Sequence, residues 1–362
     1  MRIVFTVTND LNYDQRMIRI CESLSQSGFD IKIIGVLRKD SNPVLKKSYE
    51  QKRIPVFYDK GIGFYLEYNI RLFFYLLFQR FDVICCIDLD TMLPVYFTSL
   101  IRGKTKVYDA HEYFSQQKEI VSRPKVYKAW HFIERHFLPS FKNGYTVSDS
   151  IATEFSKLYG VDYSVIKNVP VLQSFHEIEK KEKFILYQGS VNEARGFELL
   201  IPAMKLVNAV LYIYGDGNFF EQTKRLIEEN SLQQKVFLKG KITPVELQEV
   251  TQQAYIGINL VERCGLNQLY SLANKFFDYM HYAIPQVSMD FPEYKKINDV
   301  YEIALLIKEL TIKNIADAIN ELLNNETEYQ RLKQNCVSAR EHFTWQKEEQ
   351  KLIAFYKKII LQ

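Results

Sequence analysis

Short apolar runs alternate with amphipathic stretches along the chain. In the first half the runs fall at residues 3–7, 31–36, 83–87, 106–108 and 145–147. Between them apolar positions recur with a helical period over 15–27, 64–79, 91–101, 125–137 and 149–158. The short runs read as buried strands and the longer periodic stretches as helices. Such alternation predicts a doubly wound α/β unit with a mostly parallel sheet.

The rhythm breaks at 168–183, where Pro170 and the charged run 177–183 read as a linker. It then restarts, with strands at 184–187, 210–214, 236–238, 255–259, 286–288 and 303–305. Helices read at 197–206, 219–229, 244–251, 273–281 and 312–324, and an amphipathic last helix at 345–360. The pattern predicts two Rossmann-like domains, residues 1–168 and 169–343, with a cleft between them and a closing segment at 344–362. Ligands of open α/β sheets bind outside the carboxyl ends of the strands, so the loops there are where chemistry is sought. Neither half contains Gly-x-Gly-x-x-Gly, which argues against a nicotinamide cofactor.

Composition supports this picture. The 362 residues are 47% hydrophobic and 25% charged, a globular balance long enough for two cores. The net charge is +4, from 47 basic and 43 acidic residues. That is too small to predict a nucleic-acid partner, yet it permits phosphate ligands or an anionic membrane. The cysteines are Cys21, Cys85, Cys86, Cys264 and Cys336. They show no metal spacing, Cys85 and Cys86 read as strand packing, and a reduced, cytoplasmic protein is expected. Residues 1–7 read as a buried strand rather than a signal peptide. The most apolar stretch, 62–81, is interrupted by Glu67, Asn69 and Arg71, so no membrane span is expected.

The richest segment is 271–285. Ser271 leads into a helix carrying Asn274, Lys275 and Asp278 within one turn, followed by a short apolar strand. An anion at that helix start would meet free N–H groups, the positive dipole end and Lys275. Asp278 could accept bonds from a pair of sugar hydroxyls. Upstream, Gly189 lets backbone approach a ligand, and Arg195 before Gly196 is placed to bind phosphate oxygens. Gly215 and Gly217 form a second glycine turn, for which a plain tight turn is the competing reading. Gly240 and Lys241 form a third, whose backbone could pair with a base edge.

In the first half, Tyr108-Asp109-Ala110-His111-Glu112 ends a strand. His111 could orient a sugar and Glu112 could fix its tautomer or bind an acceptor; the alternative is a pair that merely holds a loop. Asp88 and Asp90 form an Asp-x-Asp that could chelate a metal. Capping of the next helix by Asp90 or Thr91 explains the pair better. Asn9, Asp10, Asp14 and Arg16 follow the first strand and could touch acceptor or diphosphate, although Asp14 also suits a helix cap. Residues 64–81 and 123–142 mix aromatic with basic side chains and read either as a membrane-facing surface or as core helices with solvated edges.

Taken in order, these motifs resemble the family 4 retaining glycosyltransferases of the GT-B fold, over nearly the whole chain. Asp88-Leu89-Asp90-Thr91, Tyr108 to Glu112, Glu134, Thr146-Val147-Ser148 and Asn168-Val169-Pro170 come first. Gly189 with Arg195-Gly196, Gly215-Asp216-Gly217, Ser271 to Pro285 and Phe343-Thr344-Trp345 follow. The resemblance implies a donor domain at 169–343, an acceptor domain at 1–168 and a last helix that crosses back onto the first domain. It implies transfer of a sugar from a nucleotide diphosphate sugar, UDP favoured and GDP second, with retention and with no metal or other cofactor. Asp278 takes the place of the glutamate on the ribose, Lys275 and Arg195 of the diphosphate cations, and His111 of the histidine at the sugar. His111, Glu112 and Asp278 are then the catalytic set. Tyr270, Ser271, Asn274, Gly189, Gly196, Gly215, Gly217, Gly240 and Lys241 join the donor site; Asn9, Asp10, Asp14, Arg16, Asp88 and Asp90 lie on the acceptor side. The acceptor is a glycan or a lipid-linked molecule, with peripheral contact to the inner membrane, and the oligomeric state is left open.

The chain departs from the pattern in three places. Tyr270 stands where many members have a first glutamate, with Glu262 the nearest upstream carboxylate. The second glutamate is shortened to Asp278, and the glycine-rich loop after the first strand is absent. These departures point to an altered donor sugar or to a nucleotide-sugar binder without turnover. A metal-dependent transferase using Asp88 and Asp90, and an epimerase or phosphorylase on a similar scaffold, complete the alternatives.

Overall fold

The computed structural model describes residues 1–174 and 182–360. Most of the charged run expected at 177–183, and the last two residues of the closing segment, lie outside the described residues. The chain forms two compact units, Met1–Lys167 with Glu348–Gln362, and Asn168–Lys347.

The first unit runs β1 (Arg2–Thr6), α1 (Gln15–Gln26), β2 (Asp30–Leu37), β3 (Glu50–Pro55), α2 (Gly61–Leu77), β4 (Val83–Ile87), α3 (Met92–Arg102), β5 (Thr105–Ala110), α4 (Lys118–Val121), α5 (Pro124–Phe137), β6 (Asn143–Thr146), α6 (Asp149–Tyr159) and β7 (Ser164–Val165). The seven strands form one sheet in the order β3-β2-β1-β4-β5-β6-β7, every neighbouring pair parallel. Helices cover such a sheet on both faces, so β4 is a continuous apolar run, fully buried, with Cys85 and Cys86 at 0% exposure. Local chemistry sets the helix ends. Asp14 caps α1 by accepting the Met17 N–H at 3.0 Å, and Gly160 closes α6 in the left-handed region.

Strands β3 and β7 are not anticipated by the hydrophobic pattern. Strand β3 reads Glu-Gln-Lys-Arg-Ile-Pro and lies at the sheet edge, where one side needs no apolar cover. Its Arg53 is buried by pairing with Asp10 at 3.1 Å. Strand β7 is two residues long, too short to show a period.

The second unit runs β8 (Phe184–Gln188), α7 (Phe197–Ala203), β9 (Val210–Tyr214), α8 (Phe220–Glu229), β10 (Val236–Gly240), α9 (Pro244–Gln253), β11 (Ile256–Asn259), α10 (Leu266–Leu269), α11 (Asn274–His281), β12 (Gln286–Met289), α12 (Pro292–Tyr301), β13 (Ala304–Ile307), α13 (Ile312–Asn324) and α14 (Glu326–Ala339). Its six-stranded parallel sheet has the order β10-β9-β8-β11-β12-β13. The sequence pattern yields its strands but not α12 and α14. Helix α14 is mostly polar and turns inward only Tyr329, Leu332, Cys336 and Ala339, at a spacing of three and four. Tyr329 stacks on Tyr255 with ring centroids 3.9 Å apart.

The last helix, α15 (Trp345–Ile360), belongs to the first unit from Glu348 onward. There Tyr356 is fully buried, edge-on to Phe5 and Tyr145 at 6.0 and 6.2 Å. Glu348 accepts the Lys167 N–H at 2.9 Å.

Candidate functional site

In the second unit the neighbouring strands β8, β9 and β10 each end in a glycine at positive φ: Gly189, Gly215 and Gly240. Their turns are tied edge to edge. Gly189 N–H donates to Tyr214 O at 3.0 Å, Val191 N–H to Asp216 O at 3.0 Å and Gly215 N–H to Gly240 O at 2.8 Å. A Cβ on Gly215 would lie 1.8 Å from Gly189 O, and one on Gly217 would lie 2.2 Å from Asn192 Oδ1. No other residue fits these two positions, so the turns form a close backbone floor. Gly196, also left-handed, opens α7 directly after Arg195. Glu262 N–H ties this loop to the segment after β11, donating to Ala194 O at 2.9 Å.

Helix α11 brings its side chains to the same floor. Lys275 Nζ lies 3.5 Å from the centroid of the Tyr187 ring, and its end would be 3.6–3.7 Å from a Cβ on Gly189. Burial pushes the Lys275 ammonium well below the usual lysine range, and the charge of Arg195 pushes the same way, against Asp278. Lys275 therefore reaches the Gly189 turn within range of the Arg195 charge, an arrangement that an anion would relieve. Asp278 Oδ2 accepts from the side-chain amide of Gln188 at 2.8 Å, and Thr251 hydroxyl donates to Gln188 Oε1 at 2.7 Å.

The rest of the expected donor set lies nearby in sequence with varied employment. Asn274 accepts from Asn168 at 2.7 Å. Ser271 hydroxyl donates to Gln268 O at 2.8 Å. Tyr270 closes α10, its N–H on Leu266 O at 2.9 Å. Lys241 is exposed just beyond Gly240.

In the first unit the loops after β4 and β5 hold a second ionisable cluster. His111 Nε2 lies 2.9 Å from Asp109 Oδ2, and Asp109 Oδ1 lies 3.2 Å from the Arg16 guanidinium. Arg16 also donates to Ile166 O at 3.2 Å and is 4% exposed, so it is a buried strut for Asp109. Burial alone would lower the His111 imidazole, but the Asp109 charge and hydrogen bond outweigh it and hold it above its ordinary range. Burial would likewise raise Asp109, yet His111 and Arg16 hold it low.

Asp88 directly follows β4 in a left-handed conformation (φ 53°). Its Oδ1 accepts the N–H groups of His111 at 2.9 Å and Glu112 at 3.3 Å, so it shapes the loop that presents both. Burial raises Asp88 well above the usual carboxyl range. Asp90 accepts the Thr8 hydroxyl and Thr91 bonds Thr6, so neither side chain caps α3. That corrects the capping expectation: Thr91 occupies the cap position but turns its hydroxyl to β1. Asp88 and Asp90 thus aim at different partners, and among the described residues no group of three His, Cys, Asp or Glu side chains is set to hold a metal. Asn9 donates to Asp14 at 2.8 Å, and Asp10 accepts from Asn12 N–H at 3.0 Å and from Arg53. Glu112 is exposed and accepts from Gln117 at 2.8 Å.

Sequence reasoning gave no role of their own to three residues in these clusters. Asp109 sits two positions before His111, where period-two alternation puts both on one side. Gln188 and Thr251 carry no signal, since a polar strand end and a helix threonine are ordinary alone.

Known proteins resemble the chain at two levels. In structure, sucrose-phosphate synthase from Thermosynechococcus elongatus superimposes with a TM-score of 0.83 at 14% identity, covering 100% of this chain and 99% of that one. HepE of Anabaena, solved with UDP-glucose, gives 0.77 at 12% identity, covering 99% and 100%. In sequence, the poly(glycerol-phosphate) alpha-glucosyltransferase of Bacillus subtilis (strain 168) is 24% identical over 259 residues, 69% of this chain and 35% of that protein. The chain spans about a third of the length of the curated relatives it matches. Residues 170–339 match the family model described as Glycosyl transferases group 1, and the solved structures show that the chain has the GT-B fold.

Proposed function

We propose that the protein is a retaining glycosyltransferase that moves a sugar from a nucleotide diphosphate sugar to a glycan or lipid-linked acceptor. The observation that carries this reading is Lys275 seated at the Gly189 turn, within range of the Arg195 charge and one helix turn from Asp278. The glycine floor admits a diphosphate to backbone contact. The two cations take up leaving-group charge as the glycosidic bond breaks, and preorganised charge of this kind is a large rate term. Asp278, held by Gln188, receives the ribose hydroxyls. His111, held by Asp109, acts on the transferred sugar, and Glu112 on the acceptor.

UDP is the favoured nucleotide, GDP the second. A UDP-sugar donor is in keeping with the UDP-glucose bound by the Anabaena protein. The acceptor class we favour is a polyol-phosphate chain, after the Bacillus relative, whose alpha product is what retention at an alpha-linked donor yields. Work at the cytoplasmic side, where nucleotide sugars are made, completes the reading. Tyr270 in place of a carboxylate favours a second reading, a nucleotide-sugar binder that does not turn over.

The test is a thermal-shift panel of UDP- and GDP-sugars, followed by release of nucleoside diphosphate with poly(glycerol phosphate) in the presence of chelator. Stabilisation by a UDP-sugar with acceptor-dependent release supports the transferase. Stabilisation with no release from any donor assigns the binder, and activity lost in chelator assigns a metal-dependent reaction.

A further inference from the structure

Helix α5 turns one side chain fully inward, and that side chain is a glutamate. Glu134 is 1% exposed, and no other residue of the helix is fully buried. Polar groups from three places meet it. Ser115, 0% exposed, comes from the turn after β5, and Tyr159 ends α6. His131 lies three positions before Glu134, on the same side of α5. Its ring stacks on Tyr127 at 5.3 Å and 7° from parallel, which fixes the direction of Nδ1.

These groups crowd together without bonding to one another. His131 Nδ1 lies 3.7 Å from Glu134 Oε2, too far for a hydrogen bond but the span of two adjacent ligands on one ion. Burial raises the Tyr159 and Tyr113 hydroxyls, and the Glu134 charge raises both further, so both stand near the carboxyl. Yet both Glu134 oxygens, Ser115 Oγ, the Tyr159 hydroxyl and His131 Nδ1 are buried with no hydrogen bond among the described residues. Buried polar atoms are nearly always paired, so these five in one place call for a ligand.

Charge narrows what that ligand is. A buried carboxylate is costly unless a positive charge meets it, and among the described residues no lysine or arginine forms an ion pair with Glu134. A proton on Glu134 removes the charge but links at most two of the five atoms. A divalent ion would leave a positive charge over and needs more carboxylates than this one. No group of three His, Cys, Asp or Glu side chains is set to hold such an ion among the described residues. A monovalent cation balances the single carboxylate and draws on the lone pairs of all five atoms. The oxygens suit potassium, and the imidazole nitrogen suits an N–H of ammonium, an ion of similar size.

We propose that Glu134, Ser115, His131 and Tyr159 hold a small monovalent cation of the potassium or ammonium class. Ser115 lies four positions past His111 in sequence, and Gln117 donates to Glu112 at 2.8 Å. The bound ion therefore ties the segment that carries His111 and Glu112 to α5 and α6. The site shares no residue with the donor cluster at Gly189, so its success or failure is independent of the transferase reading.

The full chain is melted at about pH 8, where the carboxyl is ionised, in potassium, ammonium, sodium or choline chloride at equal ionic strength. We expect potassium or ammonium to raise the melting temperature by several degrees over choline, with a saturable dependence on concentration. A gain with potassium assigns an alkali ion, and a gain with ammonium alone assigns a hydrogen-bonding one. Glu134→Gln keeps the shape and should melt alike in all four salts. Ser115→Ala, which should shrink the gain, serves if that variant fails to fold. The stability lost above about pH 7 should also be smaller in potassium than in choline. Equal melting of the parent in all four salts leaves the five atoms to water and a proton and overturns the proposal. So does a gain from sodium alone, or a potassium gain that persists in Glu134→Gln.

Discussion

Gln188 donates its side-chain amide to Asp278 at 2.8 Å while its carbonyl accepts from Thr251 at 2.7 Å. The amide is thereby fixed in orientation, and one Asp278 oxygen is fixed with it. In the proposed site this sets the other edge of the carboxylate toward the ribose. Gln188→Met should weaken UDP binding roughly tenfold, the scale of a hydrogen bond to a charged group. Inorganic pyrophosphate, which has no ribose, should bind as before. Equal losses for both ligands in calorimetry would reduce Gln188 to a structural role.

Lys275 carries a cost in the ligand-free protein, because burial and Arg195 both disfavour its ammonium. Its folded pKa lies below the ordinary 10.5, so between the two values the unfolded chain binds more protons. This group's contribution to stability therefore improves as pH rises through that window. Lys275→Met should raise the melting temperature at neutral pH and lose affinity for diphosphate, an exchange of function for stability. A bound diphosphate raises the Lys275 pKa, so at a pH between its free and bound values UDP binding should take up a proton. Calorimetry in two buffers of different ionisation enthalpy reads that uptake, and an unchanged proton count in Lys275→Met would refute the assignment.

The two α/β halves were legible because buried parallel strands are short apolar runs, visible even in β4 and β8 alone. Strand β3 was not, since Arg53 is buried by a partner forty-three positions away, Asp10, which no local pattern reveals. The glycine turns and Lys275 stood out in the sequence because conformation and charge are local properties. Whether Lys275 meets Gly189 or Asp278 meets Gln188 depends on how α11 docks on β8, and that is tertiary. The same limit explains α2, whose twelve-odd apolar positions could not be sorted into core and surface until Tyr68 was found inside and Phe74 outside.

The His111–Asp109–Arg16 chain predicts linked losses. Asp109→Asn leaves the Arg16 guanidinium buried without its charge partner, which costs about 3–5 kcal/mol. The double variant with Arg16→Met should recover part of it. Asp109→Asn also leaves burial as the dominant influence on His111, so its NMR titration should move from above the ordinary 6.5 to below it. Stability from the raised His111 is fully present below its unfolded value and fades as pH rises through the folded one. An unmoved His111 titration would show that Asp109 does not set its charge.

Glu134 gives the first unit a second, separable pH dependence. It is 1% exposed, with the hydroxyls of Ser115 and Tyr159 beside it, Tyr113 near and His131 Nδ1 at 3.7 Å. Burial pushes its carboxyl from 4.5 up to about 7, with the nearby Ser115 and Tyr159 hydroxyls acting against the rise. Because the folded value is raised, the native state binds more protons between those limits. Stability from Glu134 is full below the unfolded value and is lost as pH rises through about 7, by up to about 1.4 kcal/mol per pH unit. Glu134→Gln keeps the shape and removes the charge, so its denaturation midpoint should be flat across that window and exceed the parent's on the alkaline side. Urea titrations at a series of pH values check both. If parent and variant curves run parallel, the carboxyl is ionised throughout and Glu134 is not the group that titrates.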